Sequence, residues 1–450
     1  MRGRSSPLLP MATYAAIAAC VGGCGGKAAP HDQWKVVLST DAPVPQLGQQ
    51  LLVEILDDAG HVQSPDARRL IDASRAGAWP ISFGIVPDRP QARPRIHVRL
   101  YRLEATGDSG LPTGAALIDA TAALPIARGL TEVGLTLAMN CFSVLPDLGA
   151  HTTCDPASGQ LAPEPTLAPG VDTMSLPAPG SWPPARSVPC GSAAPSGMVC
   201  VPGGIFLVGS VHFFPLDLTL EPVPQRLVQL HPFAIDLAEF TVGEVRSLVR
   251  TQGLLPPVTQ TSTPGCTYVS GSDASNDTMP ATCVPWSTAD QACSLLGKRL
   301  PTEAEWEYVA RNLDLETPYP WGSDATICEH SIVARDRGDA IECLTSAGGT
   351  LAPGPVPGGS PLDTTALGVS NLGGNVSEWV ADSFDVYSGP CWTGAVLLVD
   401  PRCERRSTLE YSIRGGSWQK SAASATSASR NSGDKSLAAG DVGFRCAMSR

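Results

Sequence analysis

Thiols are the most chemically capable groups in this chain, and their number limits how they can be used. Fourteen cysteines are present, two of them, Cys20 and Cys24, near the N-terminus. The other twelve stand at positions 141, 154, 190, 200, 266, 283, 293, 328, 343, 391, 403 and 446. A zinc site would need paired Cys or His ligands at short fixed spacing. No Cys-x-x-Cys occurs, and the seven histidines are scattered. An even count in an exported chain reads instead as up to six disulfides. Spacing alone does not determine the connectivity. The expectation is that close neighbours pair (141/154, 190/200, 266/283, 328/343 and 391/403), which leaves Cys293 with Cys446. A second chemistry is acid–base. Glu303 and Glu307 in "PTEAEWEYVAR" lie one helical turn apart and could share general acid and base roles. The competing reading is a capped, salt-bridged helix face, and the residues around the pair favour it.

The elements that must position these groups are legible in part. Three helix starts pair a hydroxyl with an acid three residues on: Thr241/Glu244, Ser287/Asp290 and Thr302/Glu305. In that arrangement each side chain satisfies an orphan backbone donor of the first turn. Residues 33–160 read as strands instead. Apolar and polar residues alternate in "WPISFGIV", where Ile81, Phe83 and Ile85 share a face, and in "RIHVRLYRL", where Ile96, Val98 and Leu100 do. Period two marks half-buried strands, and turn-rich segments between them suggest an antiparallel sandwich of immunoglobulin or transthyretin-like type. His97 then falls on the solvent face. Residues 161–189 are dense in proline and read as a semi-rigid linker with no core of its own. The second domain, 190–450, is rich in glycine and proline with short scattered strands.

Composition excludes some functions. The net charge is −12, and no run of Lys or Arg could track a phosphate backbone, so nucleic acid is not an expected partner. Residues 1–24 read as an export signal: Arg2 and Arg4, a short apolar stretch, then "VGGC". The small-small-Cys ending resembles a bacterial lipobox, with Cys24 as the lipidated residue. Gly25 rather than Asp after it favours the outer membrane. The expected location is therefore the cell envelope of a Gram-negative bacterium, with the membrane as a partner through Cys24.

Seven segments of the second domain occur in a telling order: "MVCVPGGIFLVGS", "FAIDLAEFTVGEVRSLV", "GKRLPTEAEWEYVAR", "YPWGS", "NLGGNVSEWVAD", "IRGGSW" and "GFRCA". Together they closely resemble the sulfatase-modifying-factor, or formylglycine-generating-enzyme, family. The resemblance runs from Met198 to the end and implies an irregular α+β fold related to C-type lectins. The full expected architecture is that domain preceded by an all-β sandwich. Oxidases of the family convert a cysteine of a sulfatase to formylglycine with copper and oxygen, through two cysteines three and eight residues after the serine of "RGGS". Thiolates are soft ligands suited to Cu(I). Counted from Ser417, those positions hold Lys420 and Ala425, and no cysteine lies between 403 and 446. No catalytic residue is assigned and no copper is expected.

Other family positions are retained. By resemblance, "NLGGNVSEW" forms a calcium site from the side chains of Asn371 and Glu378 and the carbonyls of Gly374 and Val376. Calcium takes six to eight hard oxygens in a loose turn; a tight turn without metal is the alternative. Trp418, Lys420 and Arg430 would line the groove, Arg414, Arg430 and Arg445 would pair with buried acids, and Cys293 and Cys446 match bridged family positions. Three readings stay open. The chain is a binding module for a protein, peptide or glycan, a protein-modifying oxidoreductase with a non-standard site, or a structural envelope protein; the missing thiols favour the first.

Overall fold

A computed structural model describes residues 31–63, 68–87, 93–107, 109–211, 222–257, 265–269, 273–336, 342–344, 354–405 and 407–450. The expected signal segment and Cys24 lie outside these residues. Among the described residues no helix is long and apolar enough to cross a membrane.

The first half is a β-sandwich. Its strands are β1 (Gln33–Thr40), β2 (Gln50–Leu56), β3 (Arg69–Asp72), β4 (Ile81–Ile85), β5 (Arg95–Tyr101), β6 (Leu117–Ala123) and β7 (Leu130–Leu137), followed by the hairpin β8 (Thr152–Asp155) and β9 (Gln160–Pro163). One sheet is ordered β4-β1-β7 and the other β3-β2-β5-β6. Alternation places Trp34, Val36 and Leu38 of β1 against Ile96, Val98 and Leu100 of β5 in one core. The sandwich is not wholly antiparallel. β1 runs parallel to β7, in register from Gln33↔Leu130 to Thr40↔Leu137. Five strands separate these two in sequence, enough chain for a parallel return.

His97 is not on a solvent face. It is 5% exposed, and its Nε2 lies 2.6 Å from Asp119 while its Nδ1 lies 3.4 Å from Glu54. Arg99 and Arg68 hold Glu54 at 2.5 and 2.6 Å. Cross-strand neighbours of opposite charge let this face be covered. The proline-rich run also departs from expectation. Residues 161–189 lie along the sandwich, with Thr166 bridged to Ala123 and Pro169 to Val133. Leu167 and Trp182 enter the core. Proline lacks a donor, but its carbonyl still pairs at a sheet edge: Ala123 N–H donates to Pro165 O at 2.9 Å.

The second half contains β10 (Met198–Val201), β11 (Gly204–Val208), β12 (Arg226–Leu230), β13 (Phe233–Asp236), α1 (Val242–Gln252), α2 (Trp286–Leu295), α3 (Glu303–Ala310), α4 (Ile327–His330), β14 (Ser377–Ser383), β15 (Leu397–Val399), β16 (Glu410–Arg414), β17 (Arg430–Asp434), β18 (Val442–Phe444) and β19 (Ala447–Ser449). They form three small sheets, β10-β13-β19, β11-β12-β15 and β17-β16-β14-β18. Such short elements give an α+β fold made largely of loops. Thr241 and Thr302 cap α1 and α3 with the reciprocal bonds of a capping box. Ser287 does not cap α2. That helix starts two residues earlier than a Ser287 cap would place it, at Trp286, with Pro285 at the cap position and no side-chain cap. All six disulfides form with the expected pairing, including Cys293–Cys446 across 153 residues.

The two halves share a core. Ile205, Leu207 and Leu227 on one face of β11-β12 join the sandwich interior, while Phe206, Val208 and Val228 on the other face join the second domain's core. Gln46 Nε2 donates to Ile205 O at 2.8 Å. Arg102 of the sandwich pairs with the buried Glu316. Arg311 then links Glu316 to Glu307, at 3.3 Å to each.

Candidate functional site

Helix α3 is buried at every position, so its acids must be neutralised within the protein. Glu303 is held bidentately by Arg430, at 2.6 and 2.9 Å, and by Arg414 at 3.2 Å. Arg414 also donates to Glu307 at 2.6 Å, and the Tyr387 hydroxyl donates to the same oxygen at 3.1 Å. Burial pushes the Glu303 carboxyl up, but Arg430 and Arg414 outweigh it and hold it below its ordinary value. These are the paired, hydrogen-bonded charges that a buried helix requires, not a free acid and base. Arg445 makes the same kind of pair with Glu378 at 2.6 Å.

Arg430 therefore leaves the expected groove. It is 5% exposed, lies 3.7 Å from the Tyr387 ring centroid and belongs to the core. Trp418 is nearly buried as well. Its Nε1 donates to Gly440 O at 3.2 Å, and an added Cβ on Gly265 would stand 3.4 Å from its ring. Of the three expected groove residues only Lys420 stays partly exposed. Its carbonyl accepts from Ala334 N–H at 2.8 Å. Ala425 ends a short turn, Ala422–Ala425, and is fully buried against Val333, Ala334 and Cys343. All twelve cysteines from Cys141 to Cys446 are in disulfides.

The turn 371–378 is built by close approach. Asn371 and Asn375 take left-handed backbone angles, φ 61° and 70°, which Asn tolerates better than most residues. Gly374 is required because a Cβ there would lie 2.2 Å from Ser331 Oγ and 2.7 Å from Ile332 O. Asn371, Gly374, Val376 and Glu378 are all buried along this turn. A fifth residue joins them that sequence reasoning did not single out. Glu239 follows β13, and its carboxylate accepts from Asn371 Nδ2 at 3.0 Å, Asn375 Nδ2 at 2.8 Å and Val376 N–H at 3.3 Å. Its one visible signal is an acid inside the apolar stretch "FAIDLAEF".

Charge at this turn is unbalanced. Both Glu378 oxygens are taken by Arg445 and by Trp306 Nε1. Among the described residues Glu239 has no cation in contact; burial, then the nearby Glu378, pushes its carboxyl up to about 8. Asp363, which accepts from Ser331 Oγ at 2.8 Å and Gly373 N–H at 3.1 Å, is raised by burial to about 6. Three buried carboxylates thus share Arg445. Carboxylates, amides and carbonyls are the hard oxygen donors calcium prefers, and a bound cation would favour the ionised form of Glu239 that burial disfavours. The amides of Asn371 and Asn375 are turned nitrogen-first toward Glu239, with Oδ1 of each accepting from Ser360 and Val356 N–H at 2.9 Å. That arrangement satisfies the carboxylate by hydrogen bonds alone.

Comparison with known proteins places this scaffold. Residues 187–450 match the family described as the sulfatase-modifying factor enzyme 1-like domain, and the chain belongs to that family. It is 27% identical over 297 residues to the formylglycine-generating enzyme of Thermomonospora curvata, covering 56% of this chain and 93% of that protein. It is 28% identical over 306 residues to the inactive C-alpha-formylglycine-generating enzyme 2 of Mus musculus, covering 58% of this chain and 88% of that protein. Among solved structures, PvdO from Pseudomonas aeruginosa aligns at 25% identity and a TM-score of 0.45, covering 59% of this chain and 99% of that one.

Proposed function

We propose that this chain is a non-catalytic member of its family, working as a binding module in the bacterial cell envelope. The observation that carries the reading is the pair of positions after "RGGS". Lys420 is an ammonium and Ala425 a buried methyl, so neither supplies a soft ligand for Cu(I). With every cysteine from 141 onward in a disulfide, no free thiolate among the described residues is at hand to ligate Cu(I). That a relative is named an inactive formylglycine-generating enzyme supports a scaffold kept without its oxidase chemistry.

In this reading the mature chain begins at a lipidated Cys24 and is anchored at the outer membrane. Glu239, the carbonyls of Gly374 and Val376, and Asn371 with its amide turned oxygen-first would hold one calcium ion, with Glu378 nearby as a charge already tied to Arg445. Calcium there supplies positive charge and ties β13 to the turn, a structural role. Elemental mass spectrometry of the purified mature protein, with and without chelator, tests the assignment. The expected result is calcium near one per chain, no copper, and no conversion of a sulfatase-type cysteine peptide. Stoichiometric copper or formylglycine product would overturn it. Replacing Cys24 by Ser should release the protein from the membrane fraction; unchanged fractionation would remove the anchor from the proposal.

A further inference from the structure

Among the described residues, buried arginines have side-chain partners, and one partly buried arginine departs from that rule. Arg335 follows Val333 and Ala334, both fully buried, and its own side chain is only partly exposed. Its Nε is shut off from solvent and has no hydrogen-bond partner. Among the described residues it is the one arginine short of full exposure that makes neither a side-chain hydrogen bond nor an ion pair. Burial pushes its guanidinium down from its ordinary value. Arg226, similarly shifted, donates to Tyr387 O at 2.8 Å.

Its position is equally specific. Arg335 N–H donates to Trp418 O at 2.7 Å, Ala334 N–H to Lys420 O at 2.8 Å, and Cys343 N–H to Ala334 O at 3.0 Å. The segment thus lies alongside 418–420, where Lys420 brings a second positive charge. The adjacent acid, Asp336, accepts from Gln419 Nε2 at 3.4 Å. A buried guanidinium N–H without an internal partner is costly, and the partly exposed remainder of the Arg335 fork leaves room for an external group to meet it. Its planar fork matches an oxyanion, which can take two parallel N–H bonds.

We propose that Arg335 is an oxyanion subsite on the face beside Lys420, taking a sulfate, phosphate or carboxylate group of the module's ligand. This rests on reading that face as a binding surface. The test uses the mature, disulfide-bonded chain in calcium buffer, with sulfate, phosphate and acetate each titrated to about 20 mM against chloride of matched ionic strength. Thermal melting and calorimetry are the readouts. A saturable rise in melting temperature with at least one oxyanion is expected for wild type. In Arg335→Gln the binding should fall at least tenfold, and the melting temperature without oxyanion should equal or exceed that of wild type. The same saturable response in Arg335→Gln, or no saturable response in wild type, overturns the subsite. So does a variant that melts lower than wild type and ignores sulfate, because Arg335 would then be structural. Copper binding or peptide oxidation would sink the binding-module reading without altering these isotherms. A flat isotherm sinks the subsite and leaves the module to other ligands.

Discussion

Glu239→Gln should change stability with opposite signs at low and high pH. An unfolded glutamate ionises near 4.5, whereas burial beside Glu378 moves Glu239 to about 8 in the folded chain. Between those values the folded state binds one more proton than the unfolded state, so stability falls as pH rises through the window. At 1.36 kcal/mol per unit, the ionisation penalty is about 1 kcal/mol at pH 5 and about 4 kcal/mol at pH 8. Glutamine carries no such penalty, but it cannot accept everywhere the carboxylate does. If its oxygen keeps the Asn371 and Asn375 donors, its amide faces the Val376 N–H, which Glu239 accepts at 3.3 Å. One frustrated buried donor costs about 1–3 kcal/mol. In chelator, the variant should therefore be about 2 kcal/mol more stable than wild type at pH 8 and about 1 kcal/mol less stable at pH 5. Denaturant unfolding at the two pH values measures this. With calcium present, wild type should gain stability at pH 8 and the variant should gain little. A difference that does not vary with pH in chelator would refute the charge imbalance at this turn.

Three further outcomes follow from packing and charge. Arg430→Met leaves Glu303 with Arg414 at 3.2 Å as its one close cation and the Ser412 hydroxyl donating at 3.0 Å, and should cost about 3–5 kcal/mol, read by chemical denaturation; a loss below about 1 kcal/mol would return Arg430 to the exposed groove. At His97, burial lowers the pKa but Asp119 and Glu54 outweigh it and raise it. Its contribution is thus fully present below its ordinary value of 6.5 and lost as pH rises through the higher folded value. His97→Gln should flatten that part of the stability profile, and an unchanged profile would contradict the pairing. A fragment of residues 187–450 would expose Ile205, Leu207 and Leu227, each at most 2% exposed in the whole chain. Their burial is worth about 5–9 kcal/mol, comparable to a domain's entire stability, so the fragment should bind a hydrophobic dye and unfold at lower denaturant than the full chain. A fragment as stable as the whole would show that the halves are independent.

The features legible in the residues were those decided within a few positions of one another. The caps at Thr241 and Thr302 follow from a hydroxyl and an acid three residues apart. The turn at 371–378 announces itself by its asparagines and glycines, and Lys420 and Ala425 are simply not thiols. Pairing of near cysteines belongs here too, since a short loop brings its own ends together. Other features were decided by what packs around a group. Ser287 failed as a cap because Pro285 and Trp286 opened α2 two residues earlier. His97 looked solvent-facing until Glu54 and Asp119 from neighbouring strands closed over it. Arg430 could be assigned either to a groove or to an ion pair, and only the position of Glu303, 127 residues away, decides. Glu239 meets Asn371 across 132 residues, and Arg335 stands out only because no partner arrives. Hydrogen bonds of caps and turns are local and can be read in order along the chain. Desolvation is a sum over everything that excludes water from a group, and that sum exists only once the chain has folded.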